Sequence, residues 1–127
     1  MNSISSVMNL DPIFCASDTR IAEVKHLLKK YNCEEIVVVD TAEKRHPIGV
    51  ISLEDVSASF VEDSAIPSDV SAIECMRAIP AVVHEDSSLD ECLNVMRANF
   101  MERIPVVDLE GHIAGMLEKS VIVKELI

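Results

Sequence analysis

Shifted along itself by 68 residues, the chain pairs Met8 with Met76, Pro12 with Pro80, Asp18 with Asp86, Glu23 with Glu91, Glu34 with Glu102 and Ile36 with Ile104, and lays Val38-Val39-Asp40 on Val106-Val107-Asp108. Nine identities between Met8 and Asp40 mark an internal duplication, and 127 residues then divide into two copies, 1–62 and 63–127. A gap of two residues in the next loop, TAEKRHPI against LEGHIA, brings Gly49 onto Gly115; loops tolerate such changes. Whatever this chain folds into, it must do so twice. A copy of this size buries too little surface to be more than marginal alone, so the halves are expected to pack sheet to sheet. The one linker candidate, residues 62–68, is short.

Each copy reads in the same order. After the proline comes a brief apolar run, residues 13–16 or 81–83, then polar residues suited to opening a helix: Ser17-Asp18-Thr19 and Asp86-Ser87-Ser88. Ile21, Val24, Leu27, Leu28 and Tyr31 follow a period near 3.6, and Leu89, Cys92, Val95 and Met96 repeat it, so one helix face is expected to be buried. The β-branched runs at 36–39 and 104–107 read as core strands. Third strands at 48–51 and 113–117 lead into closing helices at 53–61 and 119–126. The expected unit is β-α-β-β-α, twice, an α/β (α+β) tandem with pseudo-twofold symmetry.

Composition narrows the function. The formal charge of −11 repels polyphosphate backbones, and four aromatics, Phe14, Tyr31, Phe60 and Phe100, leave little for stacking bases, so a nucleic-acid polymer is not an expected partner. No apolar run is long enough for a membrane span, and the N-terminus lacks the pattern of a signal peptide, which points to a cytoplasmic protein. Cys15, Cys33, Cys75 and Cys92 form no CxxC pair and have no histidine at ligand spacing, so reduced thiols are expected and no metal site. Three glycines, Gly49, Gly111 and Gly115, cannot build a Gly-rich phosphate loop. His26 and His84 have no nucleophile or acid at triad spacing, and no catalytic residue is assigned; the chain does not read as an enzyme. The Lys44-Arg45-His46 cluster falls in an expected hairpin loop and reads as a solvated turn.

The ordered set of motifs resembles the CBS domain, and the tandem resembles a CBS pair, or Bateman module. In the first copy the resemblance rests on Met8-x3-Pro12, Asp18-Thr19, Ile36-Val37-Val38-Val39-Asp40 and Gly49-Val50-Ile51-Ser52-x2-Asp55. In the second it rests on Met76-x3-Pro80, Asp86-Ser87, Arg103-Ile104-Pro105-Val106-Val107-Asp108, Gly111 and Gly115. What the resemblance implies is a module with two clefts between the repeats that senses an adenosyl ligand: AMP, ADP, ATP, an adenosine-like molecule or S-adenosylmethionine. No cofactor is required.

The resemblance makes the clefts unequal. One would combine Val50, Ser52 and Asp55 with Ala81, Val82 and Arg103, the aspartate gripping ribose hydroxyls and the arginine meeting phosphate. The other would present Glu118 and Val121 and face Glu35, having lost both ribose acceptor and cation, so one ligand per chain is implied. Glu102 opposes a triphosphate. An ionised carboxylate accepts from two vicinal hydroxyls, which suits Asp55 to a ribose. Ser52-x-x-Asp55 is also a capping-box pattern, and the two roles are compatible. Arg103 has the alternative of solvation or pairing with a glutamate such as Glu102 or Glu34.

Two functions follow. The first is a regulatory module that binds an adenosyl ligand, changes the geometry of a homodimer and signals to a regulated protein in trans. The second is a ligand-free dimerisation or docking module. Phe60, Val61, Ile73 and Met76 offer apolar surface for either, and the expected dimer interface takes in residues 53–63, 69–77 and the first-helix surfaces.

Overall fold

A computed structural model describes residues 4–58 and 69–127. The expected Phe60 and Val61, the end of the first closing helix and the linker at 62–68 lie outside the described residues. The chain forms two compact units, Ile13–Ile79 and the discontinuous pair Met1–Pro12 with Pro80–Ile127. Each is built around one sheet.

In the first unit, β1 (Phe14–Ala16) runs parallel to β2 (Glu35–Val39), the connection being helix α2 (Ile21–Lys30). β2 pairs antiparallel with β3 (Pro47–Ser52), and α3 (Leu53–Ala58) closes the expected order. The other unit repeats it with β5 (Val83–His84), α5 (Leu89–Ala98), β6 (Arg103–Val107), β7 (Ile113–Glu118) and α6 (Lys119–Leu126). Both hairpins carry a register shift at the same place, between Val38 and Val39 and between Val106 and Val107. β2 and β6 are buried from their second residue to their last, which is why they read as continuous β-branched runs rather than alternations.

The helices bury their predicted faces. Ile21, Val24 and Leu28 pack with Cys15, Ile36, Val38, Ile51 and Val56; Leu89, Cys92, Leu93 and Met96 pack with Ile104, Val106, Leu117 and Ile122. Each fully buried aliphatic side chain contributes about 1.5–3 kcal/mol relative to exposure. Tyr31 is a correction: it is the C-cap of α2, beyond the buried stripe, and is 47% exposed. The next residue, Asn32, takes φ 51, and its repeat equivalent Phe100, following α5, takes φ 54. Both are left-handed residues at which a helix turns off.

Helix starts differ between copies. Ser88 caps α5 through its side chain, which accepts from the Glu91 N–H at 3.1 Å. α2 has Arg20 as its N-cap, with no side-chain bond, so none of Ser17, Asp18 and Thr19 occupies the cap position. Strand-like bonds replace the cap: the Ile21 N–H donates to the Val70 carbonyl at 3.0 Å and the Ala72 N–H to Thr19 at 2.8 Å.

Three short elements were absent from the periodicity: α1 (Ile4–Val7), α4 (Ala72–Cys75) and β4 (Arg77–Ala78). β4 adds a fourth strand to the first sheet, with Arg77 opposite Val50 and Ala78 opposite Gly49. In the second unit Asn9 forms the matching bridge to Met116. The strand that edges each sheet therefore comes from sequence preceding the other copy's proline. Met76 packs against the core of the first unit and Met8 against that of the second, so Met76 is not the free apolar surface expected of it.

The Lys44-Arg45-His46 segment is a turn organised by Asp40. This carboxylate accepts from the Thr41 N–H at 2.7 Å, the His46 N–H at 2.8 Å and the His46 ring at 2.8 Å. Asp108 does the same in the second hairpin, accepting from the Glu110 and His112 N–H groups at 2.9 and 3.0 Å. Among the described residues no helix is long and apolar enough to cross a membrane.

Candidate functional site

β3 ends at Ser52 and α3 begins at Leu53, so the junction places Ser52 and Asp55 one helical turn apart. The Ser52 N–H donates to Asp55 Oδ2 at 2.8 Å, the Ser52 hydroxyl donates to the same oxygen at 2.9 Å, and the Asp55 N–H donates to Ser52 Oγ at 3.2 Å. This is a reciprocal cap of the kind the spacing suggests. It fixes the carboxylate at the carboxyl end of the strand, a common position for ligand-binding groups.

Asp55 has a further partner that the sequence did not announce. Arg77, at the start of β4, donates from Nε to Asp55 Oδ1 at 3.0 Å and Oδ2 at 3.1 Å, and from Nη2 to Glu35 Oε2 at 2.9 Å. Glu35 opens β2, directly across the ladder from Ser52. One guanidinium thus ties β4 to β2 and to the start of α3. The hydrogen bond to Asp55, followed by that to Glu35, raises the Arg77 pKa above the usual arginine range. Arg77 is separated from Asp55 by 22 residues and from Glu35 by 42, and no local pattern could have joined them.

These residues line an open cleft of about 730 Å³ with Cys33, Glu34, Leu53 and Glu54. That volume is within the range of small-molecule sites. Four carboxylates face it against one cation, Arg77, among the described residues. Asp55 is mostly covered, with 16% of its side chain accessible, whereas Arg77 is 55% accessible.

The remaining expected contacts lie as follows. Val50 is buried in β3, opposite Arg77. Ala81 and Val82 are half-buried in the loop before β5, and Arg103 is half-buried at the start of β6 with Glu118 across the ladder. Arg103 forms no ion pair among the described residues, neither with Glu102 nor with Glu34. His26 and His84 are exposed. Cys15 and Cys92 are buried, Cys33 and Cys75 half-buried, and all four are free thiols.

A family model for the CBS domain matches residues 4–62 and again 70–127. Inosine-5'-monophosphate dehydrogenase of Aquifex aeolicus is 32% identical over 120 residues, which take in 94% of this chain and 23% of that enzyme. The chain therefore spans less than a quarter of that relative. Among solved structures, CBSX2 of Arabidopsis thaliana in complex with AMP superposes with a TM-score of 0.76 at 18% identity, covering 99% of this chain and 96% of its own. The CBS domain pair of protein MJ0100, in complex with 5'-methylthioadenosine and S-adenosyl-L-methionine, gives 0.74 at 21% identity, with 99% and 96% covered. These two likenesses concern the fold.

Proposed function

We propose, from the premise that this chain belongs to the CBS domain family and carries two copies of the domain, that it is a regulatory module whose Ser52–Asp55 junction binds an adenosyl ligand. The observation that carries the reading is the placement of an anchored Asp55 carboxylate on an open cleft with room for a small molecule. A carboxylate fixed by its own helix start is held in place as an acceptor for two vicinal ribose hydroxyls. That CBSX2 binds AMP and the MJ0100 pair binds 5'-methylthioadenosine and S-adenosyl-L-methionine makes adenosyl compounds the first ligands to try. Ala81, Val82 and Arg103 are proposed as further ligand contacts, and Val50 as an apolar wall. The module works as a cytoplasmic homodimer that signals to a regulated protein in trans and catalyses nothing itself, the two copies of its sequence repeat being 1–62 and 63–127.

A second reading, a dimerisation or docking module that takes no ligand, is favoured by one observation: Asp55 is already engaged by Arg77. A thermal-shift screen with AMP, ADP, ATP, S-adenosylmethionine and NAD separates the two. A ligand at about 100 times its dissociation constant adds about 2.7 kcal/mol to stability, a shift of several degrees. No shift with any of the five favours the second reading.

A further inference from the structure

The Asp55 carboxylate that the proposed function gives to a ribose is the one Arg77 holds, so the two compete for the same lone pairs. Oδ2 accepts from the Ser52 N–H, the Ser52 hydroxyl and Arg77, and Oδ1 accepts from Arg77 as well. A ribose diol can reach both oxygens only if the guanidinium gives way. Arg77 is placed to do so: it is more than half accessible and sits on a two-residue edge strand, and its Nη2 bond to Glu35 holds the guanidinium at the cleft when the bonds to Asp55 are given up. Once turned, it remains the one cation lining the cleft among the described residues, with Glu34, Glu35 and Glu54 around it.

We propose that Arg77 is the specificity-determining residue of this cleft, held on Asp55 and Glu35 until a ribose-bearing ligand takes over Asp55, whereupon the guanidinium turns to a single anionic group on that ligand. The inference rests on the adenosyl-ligand reading above and refines it. The ligand class is a nucleoside bearing one phosphate or carboxylate. Adenosine alone displaces Arg77 and offers it nothing in return. A triphosphate brings more negative charge than Arg77, with Arg103 as the second proposed cation, answers beside Glu34, Glu35 and Glu54.

The test is calorimetric titration of the full chain with adenosine, AMP and ATP, for wild type, Arg77→Gln and Arg77→Lys, with each variant's melting curve recorded. Wild type binds AMP more tightly than adenosine or ATP. In Arg77→Gln the affinity for AMP falls by about tenfold or more, as expected for loss of a hydrogen bond between charged groups. Its affinity for adenosine stays the same or rises, because the competitor for Asp55 is gone. Arg77→Lys keeps part of the preference for AMP. Equal changes for AMP and adenosine would overturn the inference and leave Arg77 a strut for Asp55, as would wild-type binding of ATP above AMP. If wild type binds none of the three, this inference falls; the adenosyl-ligand reading falls with it only if S-adenosylmethionine also gives no shift in the thermal screen.

Discussion

The sulfur of Met76 occupies the space that a side chain on Gly49 would need. A Cβ at Gly49 would lie 2.5 Å from Met76 Sδ and 2.8 Å from the Arg77 carbonyl oxygen, and one at Gly115 would lie 2.7 Å from both Met8 Sδ and the Asn9 carbonyl. The two glycines and two methionines paired by the sequence repeat are thus one contact made twice: an edge strand pressed on a strand that has no side chain to hold it off.

Gly49→Ala should therefore destabilise the protein by about 1–3 kcal/mol in a urea titration, the range for overpacking a close contact. Adding Met76→Ala should not restore stability, because the Arg77 carbonyl is backbone and stays in the way. Full recovery in the double variant would show that β4 does not need this close approach.

Asp55→Ala separates stability from recognition. Loss of the capping carboxylate should cost about 1 kcal/mol in melting experiments. Affinity for any ribose-containing ligand should fall by roughly 10-fold to 150-fold, the equivalent of a hydrogen bond to a charged group. Arg103→Ala should weaken only anionic ligands. Unchanged affinity in Asp55→Ala would leave the Ser52–Asp55 pair as a helix cap alone.

The element boundaries were legible where a pattern ran for several residues. α2 and α5 each have ten residues and a buried stripe that the 3.6 period exposes, and β2 and β6 stand out as unbroken β-branched runs. β4 and α4, of two and four residues, are too short to have a period, and they form because the chain before Pro80 is pulled onto β3 and α2 by backbone bonds. The site was half legible for the same reason. Ser52 and Asp55 are three residues apart and announce themselves; Arg77 reaches them only through the fold. The repeat could have pointed to it, since Met76 aligns with Met8, but the next residues, Arg77 and Asn9, differ and hide the equivalence.

Acid should loosen both hairpin turns. Partial desolvation raises the Asp40 pKa, but the bonds from the His46 N–H and ring and the Thr41 N–H outweigh it and hold the carboxyl down at about 2; Asp108 is also lowered, by the His112 and Glu110 N–H groups against the same desolvation. A carboxyl depressed in the folded state stabilises it fully above the unfolded value, about 3.9, and loses that contribution as pH falls through the folded value. Stability should decline between about pH 4 and pH 2, and Asp40→Asn should flatten that limb while lowering stability at neutral pH. An unchanged acid limb in Asp40→Asn would remove Asp40 as its source.

The thiols should divide by burial. Desolvation pushes Cys15 up to about 12 and Cys92 to about 11, Glu23 and Glu91 adding to it, so neither supplies thiolate near neutrality. A disulfide-exchange reagent should modify Cys33 and Cys75 in the native protein and reach Cys15 and Cys92 only on denaturation. Rapid reaction of all four would mean that the two cores open readily.

Light scattering at tens of micromolar should report a dimer. Ile73 is 52% exposed and Leu53 36%, both within the stretches expected to meet a second copy. A monomer would remove the homodimer from the proposal.

The matching prolines leave a trace of ancestry in the packing. One compact unit is Met1–Pro12 joined to Pro80–Ile127, and the other lies wholly between those prolines. Because Pro12 and Pro80 are equivalent positions of the repeat, unequal crossing-over there excises residues 13–80 and rejoins Pro12 to Ala81. The shortened gene product keeps an edge segment, a helix-crossed strand pair and a hairpin in one uninterrupted stretch. A tandem duplication of such a progenitor would leave one unit continuous and the other split, as this chain has them.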